Sequence, residues 1–376
     1  MKIVVDGMGG DHAPETTVEG AVLAAREFGI GIILTGVEDR LRAELSKFPD
    51  ADDLAIEIRH AQDVVEMHDS PSRVVRRKRQ SSMKIGLDLV KEGEAQAFVS
   101  AGNTGAVLAF STLSLRPIKG VDRPAIAILL PTLKGSSILL DAGANVDCKS
   151  NQLFQFALMG HVYAKYLLEQ ENPSVGLLSI GEEDSKGNEI TKEVFKMLKR
   201  TDLNFIGNVE GKEVYQGQAD VIVCDGFIGN VALKISESLA GMIGKNLKEM
   251  LSSTLSGRIG YLFLKSKLEE FKKNVDHSEK GGAPLLGVNG VCIIGHGSSN
   301  GKAIKNAIAR ARELVEKKIN QHICEDIETH LDGRGSIWRQ IKEMVSGSEL
   351  EEEGAPPPAP EPPPDQPKPD ARQAPS

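Results

Sequence analysis

Short runs of branched apolar residues recur along this chain, and six of them break into a glycine-rich polar loop that leads into a helical pattern. The runs predict strands at residues 2–5, 31–35, 55–60, 98–99, 125–130, 138–140, 175–180, 205–206, 221–224 and 291–294. Residues 13–28 and 82–91 carry helical periodicity, with Pro14 suited to a first turn. Ile126-Ala-Ile-Leu-Leu130 is apolar at every position, as a strand covered on both faces requires. Strand, glycine loop, helix is the unit of parallel sheets, so the pattern predicts the α/β class.

The loops are Asp6-Gly-Met-Gly-Gly-Asp11, Ser100-Ala-Gly-Asn-Thr-Gly105, Asp141-Ala-Gly-Ala-Asn145, Gly181-Glu-Glu-Asp-Ser-Lys-Gly187, Asp225-Gly-Phe-Ile-Gly-Asn230 and Gly295-His-Gly-Ser-Ser299. Ligands gather where parallel strands end, and free N–H groups at each helix start suit an anion. Six such loops on one sheet edge predict an enzyme that handles a phosphate-like or carbonyl-bearing substrate.

A second pattern begins at residue 228, where two long helical segments meet around residues 252–257. They predict a helical hairpin at about 232–275 protruding from an α/β domain that spans residues 1–347, with helix again from 300 to about 345. Leu251, Leu255, Ile259, Leu262 and Phe263 form an apolar stripe across the break, followed by Lys265, Lys267, Lys272 and Lys273. The stripe reads equally as packing, in the core or a dimer, and as contact with a membrane. Residues 348–376 form a Pro-rich acidic tail, which cannot bury enough apolar surface to order itself.

The net charge is −8, of which the stretch from Glu351 onward contributes −4. A mildly acidic body excludes general nucleic-acid binding but permits local basic patches, such as Arg73-Val-Val-Arg-Arg-Lys-Arg79. Cys148, Cys224, Cys292 and Cys324 lack metal-binding spacing and read as reduced thiols of a cytoplasmic protein. No apolar run reaches the roughly 20 residues needed to span a bilayer.

The first loop departs from the dinucleotide fingerprint because His12 stands where glycine is required. Gly295-His-Gly-Ser-Ser-Asn-Gly-Lys302 misses the spacing of a phosphate-binding P-loop, and Ala303 replaces its magnesium-binding hydroxyl. Covalent nucleophilic and metal catalysis lack their signatures, so neither metal nor cofactor is expected. Asn103 or Thr104 reads as a helix cap or as a ligand-binding group. Lys186 stands beside Glu182, Glu183 and Asp184, which are placed to hold it.

These loops, together with Arg79-Gln-Ser-Ser-Met83 and Gly282-Ala-Pro-Leu-Leu-Gly287, resemble the phosphate acyltransferase (PlsX) family of bacterial phospholipid synthesis, in order over roughly residues 1–330. The resemblance implies a three-layer, Rossmann-like α/β/α core related to phosphotransacetylases. It also implies transfer of a long-chain acyl group from acyl-acyl-carrier protein to inorganic phosphate. The implied enzyme is a homodimer in peripheral contact with the membrane, supplying acyl phosphate to a membrane glycerol-3-phosphate acyltransferase. Membrane contact then falls to Leu255, Ile259, Leu262 and Phe263, and the acidic carrier protein favours a basic docking surface, for which the Arg73–Arg79 run and the hairpin lysines are the candidates. An acyl-CoA donor, or a non-catalytic scaffold of lipid synthesis, is the alternative.

With that chemistry in view, Lys186 is expected to meet the phosphate or the developing charge, and Asn230 the carbonyl oxygen. Asn103, Thr104 and His296 are expected to line the anion site. Asp6, Gly9, Gly10, Ser100, Gly102, Asp141, Asn145, Glu182 and Asp225 complete the expected substrate pocket.

Overall fold

The computed structural model describes residues 1–275 and 281–331. Its strands are β1 (Lys2–Asp6), β2 (Gly31–Gly36), β3 (Ile56–His60), β4 (Ala97–Ser100), β5 (Ala125–Thr132), β6 (Gly135–Leu140), β7 (Val175–Ser179), β8 (Phe205–Glu210), β9 (Val221–Val223), β10 (Ala283–Leu286) and β11 (Val291–Ile294). Its helices are α1 (Glu15–Phe28), α2 (Glu38–Leu45), α3 (Pro71–Arg77), α4 (Ser82–Lys91), α5 (Thr104–Ser114), α6 (Ser150–Leu167), α7 (Glu189–Leu198), α8 (Gly226–Ser252), α9 (Leu255–Val275), α10 (Gly301–Glu316) and α11 (Ile319–Leu331). The expected tail, and the last part of the expected 1–347 domain, lie outside the described residues.

All eleven strands join one sheet in the order β3-β2-β1-β4-β11-β10-β5-β6-β9-β7-β8. β3, β2, β1, β4 and β11 are mutually parallel, and so are β6, β9, β7 and β8. Three antiparallel pairings separate the groups: β11 with β10, β10 with β5, and β5 with β6. Three reversals leave the two parallel halves running in opposite senses. The loops therefore do not share one edge, as the strand–loop–helix rhythm predicted. Those after β1, β4 and β11 end one half; those after β6, β9 and β7 end the other.

The register decides whether these edges lie far apart. Ala283 pairs with Ile294, the last residue of β11, while Leu285 pairs with Ile126 at the start of β5. Ala127 in turn faces Leu140, the last residue of β6. The second half is thus displaced along the strand direction, and the carboxyl ends of both halves approach one level at the β10–β5 seam. Opposed strands with offset register bring two loop clusters face to face.

Apolar residues on both sheet faces hold this arrangement. Ile3, Ile32, Val99, Ile293 and the α1 and α10 side chains pack on one face of the first half; Val4, Phe98, Met83, Leu87 and Phe110 pack on the other. Each such large side chain contributes about 1.5–3 kcal/mol before ordering costs. α6 is buried nearly all round, as an interior helix must be apolar on every side. The hairpin of α8 and α9 forms as expected, beginning at Gly226 rather than near 232.

Candidate active site

In the first half the glycine loops are knitted together by a buried carboxylate. Asp6, at the end of β1, accepts the Ser100 hydroxyl at 2.7 Å and the Met8 N–H at 3.2 Å, and Ser100 Oγ accepts Gly102 N–H at 3.1 Å. Burial pushes the Asp6 carboxyl above its ordinary range, with the Ser82, Ser100 and Met8 hydrogen bonds opposing that shift. A Cβ at Gly9 would lie 2.9 Å from both Gly102 N and Ser100 Oγ, so the loops meet backbone to backbone there. Gly10 has φ +118°, next to the Asp11 N–H that donates to Gly297 O at 2.8 Å. The β11 loop joins the same cluster, because Gly295 N–H donates to Ser100 O at 2.8 Å.

Asn103 caps α5, accepting Ala106 N–H at 2.9 Å, while its amide donates to the carbonyls of Met67 (2.8 Å) and Asp69 (3.0 Å). The helix-cap reading of this residue is formed. The Ser298 N–H points at His296 Nδ1 from 3.3 Å, and Ser298 Oγ lies 2.8 Å from the same nitrogen. Accepting from that N–H places the proton of a neutral imidazole on Nε2, which is left to donate elsewhere.

The second half repeats the device. Asp141 is fully buried after β6. It accepts N–H groups of Ile126 (2.9 Å), Gly143 (3.2 Å), Ala144 (3.1 Å) and Asn145 (2.7 Å), and the Asn145 side-chain amide (2.9 Å). Burial again raises the carboxyl's pKa, and these donors pull the other way. Asp225 caps α8 by accepting Ile228 N–H at 2.9 Å. Gly229 lies so close to the Asp141 carbonyl oxygen that any Cβ would overlap it. That close approach presses the start of α8 onto the β6 loop and leaves Asn230 exposed beside Gly143. Its side-chain amide has no partner among the described residues.

Lys186 differs from its expected setting. Glu182 pairs with Lys212 at 3.0 Å and Asp184 with Lys199 at 2.8 Å, so neither holds Lys186. The lysine stem folds over Gly181, and among the described residues its ammonium has no ion pair.

Between the two loop clusters lies a cleft of about 1690 Å³. Thr104, His296, Ser299 and Asn300 line it from the first half, and Ala142, Asn230 and Lys212 from the second. It continues along α8 past Leu233, Leu239, Ile243, Leu247 and Leu251. Of the expected site residues, Thr104, Asn230 and His296 line this space. Asp6, Ser100, Gly102, Asn103, Asp141, Asn145 and Asp225 stand behind it and shape the loops, while Lys186 and Glu182 lie on the adjoining β7 loop outside the lining. A buried carboxylate surrounded by its own loop's N–H groups orders those loops rather than meeting an anion. Lys212 went unforeseen; the short Glu210-Gly-Lys212 turn after β8 was its one sequence signal.

Residues 1–322 match the family model described as "Fatty acid synthesis protein". A phosphate acyltransferase of Geobacter sulfurreducens is 52% identical over 347 residues, covering 92% of this chain and all of that protein. One from Trichlorobacter lovleyi is 53% identical over 345 residues, covering 92% and 99%. The chain belongs to the phosphate acyltransferase family. It is an acyltransferase, and the family resemblance read from its loops holds. Phosphotransacetylases of Streptococcus pyogenes (TM-score 0.55, 18% identity, 87% of this chain and 94% of that one) and Staphylococcus aureus (0.54, 18%, 86% and 94%) share the fold. The expected phosphotransacetylase-like α/β architecture is thereby met.

Proposed function

We propose that the chain transfers a long-chain acyl group from acyl-acyl-carrier protein to inorganic phosphate, giving acyl phosphate for phospholipid synthesis. The observation that carries this reading is a single cleft with polar donors on two facing walls and an apolar extension. From Leu233 to Leu251 the α8 trough runs about 27 Å at 1.5 Å per residue, enough for an extended acyl chain. A polar head and a long apolar tail are the two parts of the substrate.

In the reaction a phosphate oxygen attacks the thioester carbon and the carbonyl electron pair moves onto oxygen. The pair returns as the C–S bond breaks, and the proton of hydrogen phosphate ends on the released thiol. The unpartnered amide of Asn230 donates to the oxyanion. Thr104, Ser299 and His296 Nε2–H hold phosphate on the opposite wall, so two reactants are aligned by two halves of one sheet. Lys186 follows β7, the strand beside β9, and its uncommitted charge serves the phosphate or the developing anion from the neighbouring loop. No covalent intermediate is needed.

The names of the relatives and the family model support this reading, and a direct assay tests it. The pure chain should consume acyl-acyl-carrier protein only when phosphate is present; phosphate-independent or absent turnover would refute it. Faster turnover of acyl-CoA than of the carrier-bound donor would favour the phosphotransacetylase-like alternative.

The protein is proposed to act as a cytoplasmic homodimer at the membrane surface. No helix among the described residues is long and apolar enough to cross a membrane. On α9, however, Leu262 and Phe263 are 73% and 83% exposed and Ile259 is half exposed, while the Leu255 side chain lies outside the described set. A few large apolar side chains give reversible attachment, and delivery of acyl phosphate to a membrane glycerol-3-phosphate acyltransferase calls for it. Changing Leu262 and Phe263 to glutamate should release the protein from anionic vesicles, measured by co-sedimentation, without loss of solution activity. Undiminished vesicle binding would exclude this contact.

A further inference from the structure

The acidic chain carries a concentrated basic face whose arginines meet no carboxylate among the described residues. From Ser70 to Gln80 there are five basic residues and no acidic one. α3 turns Val74 into the core, while Arg73, Arg76 and Arg77, at i, i+3 and i+4 spacing, emerge together on its outer side. Arg79 extends this exposed face into the following turn. Lys78 is taken up by Asp69 (2.6 Å) and the Val64 carbonyl (2.6 Å). Among the described residues, no carboxylate lies within ion-pair distance of the four arginines.

The position of this face gives it meaning. Pro71, at the start of α3, packs against Gly105, and Asn103 binds the carbonyls of Met67 and Asp69. Met67 also reaches Gly297 in the β11 loop. The arginines therefore stand on the segment laid over the two loops whose Thr104 and His296 line the cleft.

We infer that Arg73, Arg76, Arg77 and Arg79 form the docking surface for an acidic protein that presents the acyl thioester to the cleft. The inference rests on the acyl-transfer reading and adds the place where the donor sits. Arginine suits this task because its planar fork binds carboxylates in pairs, and uncompensated charge speeds encounter with an opposite partner. A lipid surface fits less well: no exposed large apolar side chain lies between Ser70 and Gln80 to enter a bilayer.

The test compares the full-length protein with a variant carrying Arg73→Glu, Arg76→Glu and Arg77→Glu. Binding of fluorescently labelled acyl-carrier protein should weaken at least tenfold at low salt. KM for acyl-acyl-carrier protein should rise by a similar factor, while kcat/KM for the same acyl group on a small soluble thiol stays within twofold. Wild-type affinity for the carrier should fall as salt rises, and the variant's should respond far less. Carrier binding equal to wild type would overturn the inference, as would loss of anionic-vesicle binding with carrier binding intact. Should wild type bind the carrier through these arginines yet transfer nothing to phosphate, the docking surface stands and the reaction assignment fails. An unchanged thermal midpoint separates all these effects from misfolding.

Discussion

Replacing Asp141 with alanine should lower the unfolding free energy by about 3–5 kcal/mol, the scale set by removing one partner of a buried, fully bonded charge. Five donors converge on its two oxygens, and alanine removes the acceptor that all five share. One donor, Ile126 N–H, belongs to β5 at the seam, and the others belong to the loop against which Gly229 is pressed. The damage should therefore spread from the β6 loop to the start of α8. Asparagine, which keeps one acceptor oxygen, should cost less than alanine. Denaturant unfolding of both variants measures the effect, and an alanine variant within 1 kcal/mol of wild type would show that the carboxylate does not order the loop.

Replacing Asn230 with alanine should leave stability nearly untouched and lower kcat about 10²- to 10³-fold, the usual effect of losing one oxyanion donor. The side chain is exposed and unbonded in the free protein, so its removal breaks nothing already formed. An effect confined to KM would instead assign Asn230 to ground-state binding. Lys186→Ala should also lower kcat with folding unchanged, since no carboxylate among the described residues pairs with its ammonium. Near-normal turnover in either variant, measured as phosphate-dependent release of carrier thiol, would remove that residue from the reaction.

The two experiments divide the glycine-loop residues into groups the sequence could not separate. Asp6, Asp141 and Asp225 flank glycines as ligand-binding acids do, yet each accepts hydrogen bonds from its own neighbourhood. A linear motif records which residues meet at a loop, not whether a carboxylate faces inward or toward a ligand. Most strands were legible because Ile3-Val-Val5, Ile32-Ile-Leu34 and Val291-Cys-Ile-Ile294 are uninterrupted apolar runs. β10 was not: it is four residues long and contains Pro284, which argues against a strand inside a sheet. The change of direction was hidden for a related reason. Gly135, at φ +135°, turns β5 straight back into β6, where the repeating rhythm led one to expect separate parallel strands. Lys212 escaped notice because its turn lacks the flanking pattern of the six loops.

The inverted halves have an electrostatic consequence. In a sheet of one sense, all helices that follow strands direct their amino ends the same way, side by side. Here α5 and α10 begin on one wall of the cleft at Thr104 and Gly301, and α8 begins on the other at Gly226. Each helix end carries about half a positive charge from its aligned peptide dipoles. Reversing one half of the sheet therefore brings these helix starts to opposite walls of one cleft, where Thr104, Asn300 and Asn230 line it. A multiply charged guest between them is drawn from both sides, by a field built into the backbone that no side-chain substitution removes.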